Sequence, residues 1–155
     1  MDHPWKCVSA LVAVATFLSA CASLRPGEVS RMPLPSPREH LARGMAEVEA
    51  ADALRREKSP ASAMGGVFSW PPDMEKWQGH LRQAEADFRA VLDRFPESRE
   101  APEAQFMLGR INDHPHRNRF DAALVEYRRT MTRFPGTPAA EQARQRIEVI
   151  ESINR

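Results

Sequence analysis

The chain has 155 residues, which is room for a single domain. Its hydrophobic share of 42% and charged share of 28% are ordinary for a folded soluble protein. The net charge is +1, and it stays +1 if the first twenty residues, which hold one lysine and one aspartate, are removed. This balance creates no field that would gather nucleic acid, so we set nucleic acid aside as a partner.

The first twenty residues differ in composition from the rest of the chain. A weakly positive start with Lys6 is followed by an uncharged, mostly apolar segment over residues 8–20. A helix of this length spans only about 20 Å, whereas the hydrocarbon core of a membrane is about 30 Å thick. The segment therefore fits the core of a signal peptide better than a permanent membrane span, and we predict a signal peptide over residues 1–20.

Leu18, Ser19 and Ala20 precede Cys21 directly. This order resembles the bacterial lipobox, in which leucine stands three residues before the cysteine and small residues fill the two positions between. The resemblance implies that Cys21 carries a diacylglyceryl group and that the chain is cut before it. The alternative is an ordinary signal peptide followed by an incidental cysteine. Cys7 would leave with the signal, so the mature chain could form no internal disulfide.

A linker is predicted over residues 21–37. Four prolines fall among few large apolar residues in its last sixteen positions, so it can neither hold a helix nor bury much surface. In the polyproline form these sixteen residues could reach about 50 Å. We predict a flexible tether that stands the folded part, residues 38–155, off the lipid surface.

The rest of the chain has a helical pattern. Ser36, Pro37 and Glu39 form a good helix start, with a capping hydroxyl, proline at the first helical position and glutamate three residues after the cap. No segment shows sustained two-residue alternation, so we predict an all-α fold without strands. Apolar residues at helical spacing and proline stops predict five helices, over residues 36–58, 73–94, 99–111, 119–133 and 137–152.

A loop over residues 59–72 separates the first two predicted helices. Phe68 and Trp70 are large aromatic residues in this segment. One interpretation is that they fold back over the helices and cover the core. The other is that they contact a protein partner, because aromatic side chains are enriched at such surfaces.

The C-terminal half of the chain matches itself when it is aligned at the constant shift that places Ala84 on Ala123, which we call the repeat shift. Small residues would let a neighbouring helix approach, aromatic residues would fill the space beside it, and prolines would end each helix. A repeat has this appearance when each unit buries the same face on its neighbour. Ser98 and its match Thr137 are placed to cap the helix that follows each proline. The pairs that carry the pattern and define the shift are Ala84 with Ala123, Phe88 with Tyr127, and Pro96 with Pro135.

These spacings resemble the second helix of the tetratricopeptide repeat, a motif of about 34 residues. Leu108 and Gly109 resemble the Leu-Gly pair of its first helix. This form of the repeat is similar to that of repeat lipoproteins in the bacterial envelope, including those of the outer-membrane assembly machine and the Tol-Pal-associated repeat protein. The resemblance implies a short stack of helical hairpins, one face of which binds extended peptide or protein segments. The chain departs from the motif by two inserted residues near positions 114–117 and by the long loop over residues 59–72.

No constellation of catalytic residues is evident. His114 and His116 supply at most two metal ligands, so we interpret their segment as a solvated turn and predict no metal site. Arg82, Glu85 and Arg89 are interpreted as a solvated helix face. The chain contains neither a phosphate-binding glycine loop nor a recognisable nucleophile, so we predict no enzyme, no small-molecule substrate and no cofactor beyond the covalent lipid.

The function that these patterns favour is a lipid-anchored adaptor or scaffold for protein partners in a cell-envelope complex. Ala22 rather than aspartate follows Cys21. Under the sorting rule of bacterial lipoproteins, this implies the periplasmic face of the outer membrane. One alternative is a dedicated pilot or stability chaperone for a secreted or polysaccharide-export component. Another alternative is an enzyme, which would need a polar site that the sequence does not display.

Overall fold

The computed structural model describes residues 34–56 and 73–153. The predicted signal peptide, the lipobox with Cys21, most of the tether, and the loop with Phe68 and Trp70 lie outside these residues. The described part contains no strand, which confirms the predicted all-α fold with five helices, and each helix bound falls within two residues of its prediction. The helices are α1 (Pro37–Arg56), α2 (Met74–Arg94), α3 (Ala101–Asn112), α4 (Phe120–Arg133) and α5 (Pro138–Ile153).

The first two helices begin at side-chain caps. The Ser36 backbone amide donates to Glu39 Oε2 at 2.7 Å, and the Glu39 amide donates back to Ser36 Oγ at 3.2 Å, so α1 starts in a capping box. The Ser36 hydroxyl also donates to Glu39 Oε2 at 2.9 Å, and the two hydrogen bonds donated by Ser36 lower the pKa of Glu39. Asp73 caps α2 by accepting from the Lys76 amide at 2.9 Å.

The turns that follow α2 and α4 are equivalent and are related by the repeat shift. Phe95 and Phe134 end the two helices with nearly the same backbone angles, and the amide of each donates to the carbonyl four residues earlier. The following caps differ. The hydroxyl of Thr137 accepts from the Ala140 amide at 3.2 Å, whereas the hydroxyl of Ser98 is buried and has no hydrogen-bond partner among the described residues. The expectation that Ser98 caps α3 is therefore wrong, because α3 begins two residues further on, after Glu100.

The five helices pack as two hairpins and a closing helix. Each helix contacts the next along the chain, and in addition α1 contacts α3 and α3 contacts α5. The odd-numbered helices therefore lie side by side in one layer, while α2 and α4 pack behind them. The largest completely buried side chains stand where the layers meet: Trp77, Phe88, Val91, Tyr127 and Ile150.

A glycine marks the close approach of the two helices in each hairpin. Gly109 of α3 faces the ring of Tyr127 in α4, and Gly44 of α1 faces the ring of Phe88 in α2 in the same way. Ala84 and Ala123, one turn before these aromatic residues, are also completely buried. Leu108 is buried beside Gly109, while Pro96 and Pro135 lie in the turns after α2 and α4. Gly44 therefore gives the α1–α2 hairpin the same glycine–aromatic contact as the α3–α4 hairpin.

Each hairpin is also joined by a polar pair at the same place. The members stand four residues before the glycine and one residue before the aromatic residue. In the first hairpin His40 Nδ1 lies 2.8 Å from Asp87 Oδ1, and in the second Gln105 Nε2 donates to Glu126 Oε2 at 2.6 Å. The two hairpins are therefore built alike in polar as well as apolar contacts.

Candidate functional site

A groove runs across the layer of odd-numbered helices. Most of its lining comes from one face of α1 and one face of α3, with a single contribution from α5, and its volume is about 710 Å³. We call it the odd-helix groove. The side chains of α1 that enter it follow helical spacing, so a single face of that helix supplies them. The groove is lined by Ala42, Met45, Ala46, Val48, Glu49, Asp52 and Arg56 of α1, by Glu103, Phe106, Met107 and Arg110 of α3, and by Gln142 of α5.

The floor of the odd-helix groove is apolar and partly open. Met45 is 42% exposed, whereas Phe106 and Met107 are almost completely buried beneath the surface. Ala42 and Ala46 on the same face of α1 are small, so they leave the space between α1 and α3 unfilled. An extended segment of another chain could therefore contact apolar side chains along this floor.

Charges of opposite sign stand along the odd-helix groove. Glu103, near the start of α3, is half-buried, and this burial raises the pKa of its carboxyl group. Arg56 and Arg110 stand near the C-terminal ends of α1 and α3. Cations are favoured there because the last carbonyl groups of a helix carry partial negative charge. Glu103 thus stands near the start of α3, and the two arginines mark what we call the basic end of the groove. Glu49 and Asp52 of α1 add negative charge to the same lining.

A smaller cavity adjoins the basic end of the odd-helix groove. Its volume is about 270 Å³, and it shares Val48, Asp52 and Arg110 with the groove. Three arginines from three helices line it, so we call it the arginine cavity. They are Arg55 of α1, Arg110 of α3 and Arg146 of α5.

Asp113 holds one wall of the arginine cavity in place. Its buried carboxylate accepts from the Tyr127 hydroxyl at 3.0 Å and from Arg146 Nε at 2.8 Å. A second guanidinium nitrogen of Arg146 donates to the same oxygen. Burial, followed by the nearby negative charge of Asp113, raises the pKa of Tyr127 well above its ordinary value. Tyr127 therefore joins α4 to the turn after α3 and, through Asp113, to α5.

The turn that carries His114 and His116 is less solvated than predicted. The ring centroids of these histidines lie 5.0 and 6.0 Å from that of the buried Trp77. His114 Nε2 also lies 3.7 Å from Asp52 Oδ1, and only 15% of the His114 side chain is exposed. Desolvation by burial lowers the pKa of both imidazoles. Within residues 34–56 and 73–153, no three or more His, Cys, Asp or Glu side chains are grouped to hold a metal ion.

The predicted solvated face of α2 is also only partly correct. Arg82 and Arg89 are exposed, but Glu85 is mostly buried and pairs with Arg117 of the turn between α3 and α4. This ion pair joins the two hairpins, because Glu85 lies on α2 and Arg117 on the segment that leads into α4.

The candidate site and the residues predicted from the repeat occupy different places. Ala84, Phe88, Ala123 and Tyr127 lie in the interior between the two layers. The groove is lined by the odd-numbered helices, and the cavity by those helices together with Leu81 of α2 and the turn after α3. None of the described helices combines the length and the apolar character needed to cross a membrane. Compared with known protein families, curated proteins and solved structures, the chain shows no significant match.

Proposed function

We propose that this protein is a lipid-anchored adaptor of the bacterial cell envelope and that the odd-helix groove binds an extended segment of a protein partner. The observation that carries the proposal is the groove, where Met45 is exposed above the buried Phe106 and Met107 and between charged side chains. Protein-binding surfaces combine an apolar centre with a polar rim in this way. The resemblance to tetratricopeptide repeats supports the same use, since stacked repeats present extended binding surfaces.

Met45 is the side chain of the groove floor that a bound segment would contact most directly. An exposed methionine offers a flexible apolar side chain that can adjust to the shape of a partner. The buried Phe106 and Met107 beneath give the floor a fixed position, so a partner would meet an ordered surface. Glu103 and Arg110 stand beside this floor and can pair with polar groups of an extended segment.

The anchor in this proposal rests on the sequence. Leu18, Ser19, Ala20 and Cys21 have the order of a lipobox, and the proline-rich residues 22–37 would give the helices a reach of about 50 Å. We place the protein on the periplasmic side of the outer membrane because Ala22 follows Cys21. A tether of this kind would confine the groove near the lipid surface and so raise the effective concentration of membrane partners.

The proposal can be tested by photo-crosslinking in intact cells of the source bacterium. A photoreactive amino acid placed at Met45 probes the groove, and the same amino acid at Val125 is a matched control. Val125 is 45% exposed, close to the 42% of Met45, but it lies on α4, away from the groove. We expect a discrete protein adduct from position 45 and none from position 125.

A groove variant then distinguishes specific binding from chance proximity. With the photoreactive group moved to Ala42, a second exposed groove position, the change Met45→Glu should abolish the adduct, because it places a charge on the apolar floor. Val125→Glu should leave the adduct unchanged. Equal adducts from positions 45 and 125, or an adduct at position 42 that survives Met45→Glu, would contradict peptide binding at the groove.

A further inference from the structure

Three positive side chains from three separate helices surround the arginine cavity. Arg55, Arg110 and Arg146 belong to α1, α3 and α5, and a guanidinium group keeps its charge at any physiological pH. Like charges repel, so nearby anionic groups stabilise this arrangement. The cavity walls contain two carboxylates, those of Asp52 and Asp113.

Both carboxylates are already engaged. Asp113 is buried and accepts hydrogen bonds from Arg146 and Tyr127. Asp52 Oδ1 lies 3.8 Å from Arg55 Nε and 3.7 Å from His114 Nε2. His114 adds no charge near neutral pH, because burial lowers its pKa.

Arg110 has no direct ion pair among the described residues. It is exposed, and it forms no direct hydrogen bond or ion pair with any residue in the described part of the chain. Its resolved electrostatic contact is with the half-buried Glu103, two helical turns earlier on α3. The residues that line the cavity therefore carry one positive charge more than they carry negative charges, and Arg110 stands where the cavity opens into the odd-helix groove.

We propose that the arginine cavity binds the carboxylate of an Asp or Glu side chain in the segment that occupies the groove. This inference rests on the proposed function and names the chemistry of its ligand. A carboxylate carries the single negative charge that the cavity lacks, and its two oxygens match the planar fork of a guanidinium group. Since groove and cavity share Val48, Asp52 and Arg110, a side chain of the bound segment needs no separate entrance.

The turn after α3, which forms part of the cavity wall, departs from the repeat motif. Asp113, His114 and Pro115 form part of this wall, and they lie at the place where the chain has two residues more than the repeat motif it resembles. The cavity therefore depends on a departure from that motif. It also depends on Arg146 of the closing helix α5, which Asp113 fixes in position.

The test is a selection of peptides on the full chain in detergent. The probe is a display library of random dodecapeptides, selected on the wild-type protein. We expect the enriched peptides to combine apolar residues with an Asp or Glu at a constant position. Replacing that acidic residue by Gln should weaken binding about tenfold or more, which is the effect of losing one charge-assisted hydrogen bond. Replacing it by phosphoserine should also weaken binding, because the charge of a phosphate group exceeds the net positive charge of the residues that line the cavity.

The protein variants assign the effect to the cavity. Arg110→Gln should weaken binding of the acidic peptide by the same factor and have no effect on its Gln version, while leaving the melting temperature unchanged. Arg89→Gln is the matched control, since Arg89 is an exposed arginine on α2 whose ion pair is with Glu85 of the same helix. It should bind both peptides like the wild type.

The possible negative results distinguish failure of the proposed function from failure of the carboxylate site. If the wild-type protein enriches no peptide, the proposed function is contradicted. If it enriches apolar peptides without an acidic residue, or if Arg110→Gln keeps the preference for the acidic peptide, peptide binding stands and the carboxylate site is overturned. Tighter binding of the phosphoserine peptide than of its Glu counterpart would likewise overturn the carboxylate site in favour of a phosphate site.

Discussion

Replacement of Gly44 by alanine tests the packing that defines the first hairpin. A Cβ atom at this position would lie 2.5 Å from Cε1 of Phe88 and 2.9 Å from both Cδ1 and Cζ. Non-bonded carbon atoms prefer separations of about 3.5–4.0 Å, so the ring or the helix would have to move by about 1 Å. Phe88 is completely buried, so its ring has no free space into which it can turn.

Two effects of opposite sign determine how much Gly44→Ala changes the free energy of unfolding. Alanine stabilises a helix interior by about 1 kcal/mol relative to glycine. Overpacking of a well-packed core costs about 1–3 kcal/mol, and a clash with a completely buried ring belongs at the upper end. We therefore expect Gly44→Ala to lower the free energy of unfolding by about 1–2 kcal/mol.

Gly79 provides a matched control with the opposite sign. It lies inside α2, where a Cβ atom would meet, among the described residues, the end of the Arg82 side chain at 3.9 Å and nothing nearer. The gain in helix stability is therefore unopposed, and Gly79→Ala should raise the free energy of unfolding by about 0.5–1 kcal/mol.

Urea unfolding followed by circular dichroism measures both changes, and a constant slope against urea concentration shows that the same transition is compared. Phe88→Leu shortens the side chain that faces Gly44, so Gly44→Ala should cost less in the Phe88→Leu background. A coupling of more than about 0.5 kcal/mol is expected for such a direct contact. The packing argument is refuted if Gly44→Ala stabilises the protein as Gly79→Ala does, or if its effect adds to that of Phe88→Leu without coupling.

Three further predictions concern the cavity, the histidine turn and the anchor. Tyr127→Phe removes a hydroxyl that donates to Asp113 and should lower the free energy of unfolding by about 0.5–1.5 kcal/mol. Asp113→Ala should cost more, because it leaves the buried hydroxyl without its acceptor, and equal urea midpoints for the two variants would contradict this role. Since burial lowers the pKa of His114 and His116 below 6.5, the unfolded chain binds more protons than the folded chain in acid. Stability should thus be complete above about pH 6.5 and decrease below it, and replacing both histidines by Asn should flatten urea midpoints between pH 7.5 and 5. A Cys21→Ser protein should accumulate as uncut precursor without incorporating labelled palmitate, yet keep its helical circular dichroism spectrum; cleavage of this variant to the mature size would contradict the lipobox.

The helices could be predicted from sequence because each carries its own local signals. Apolar residues at helical spacing mark the buried face, and capping residues and prolines mark the ends, as at Ser36 and Pro96. These effects act within a few residues, so they need no knowledge of the tertiary fold. Ser98 shows the limit of such reasoning, because its match with Thr137 in sequence does not extend to the position where α3 begins.

Gly44 could not be found in the same way. The residue before it is Arg43 rather than leucine, so the Leu-Gly pair of α3 has no counterpart in α1. The long segment between α1 and α2 also breaks the repeat shift that relates the later helices. Its position opposite Phe88 depends on how α1 packs against α2, which is a property of the tertiary fold.

The arginine cavity could not be predicted from the sequence for a related reason. Arg55, Arg110 and Arg146 each look like an ordinary surface charge on an amphipathic helix. They converge because α1, α3 and α5 lie side by side, although their positions in the sequence are far apart. Likewise, nothing near His114 in sequence indicates that Trp77 lies against it.

The last helix shows why the groove, rather than the end of the stack, is the surface to test first. At the repeat shift, α5 has Glu148 where α3 has Gly109, and Arg144 where α3 has Gln105. Both are exposed, and Arg144 pairs with Glu141 and Glu148 along the same helix. A further helix could not pack on α5 as α4 packs on α3, because an aromatic side chain would meet a glutamate instead of a glycine. The face of α5 that carries Arg144 and Glu148 is therefore polar, although Val149 and Ile153 of the same helix are also exposed. An apolar floor remains accessible where α1 and α3 lie side by side, and a partner that binds there would add contacts without extending the stack.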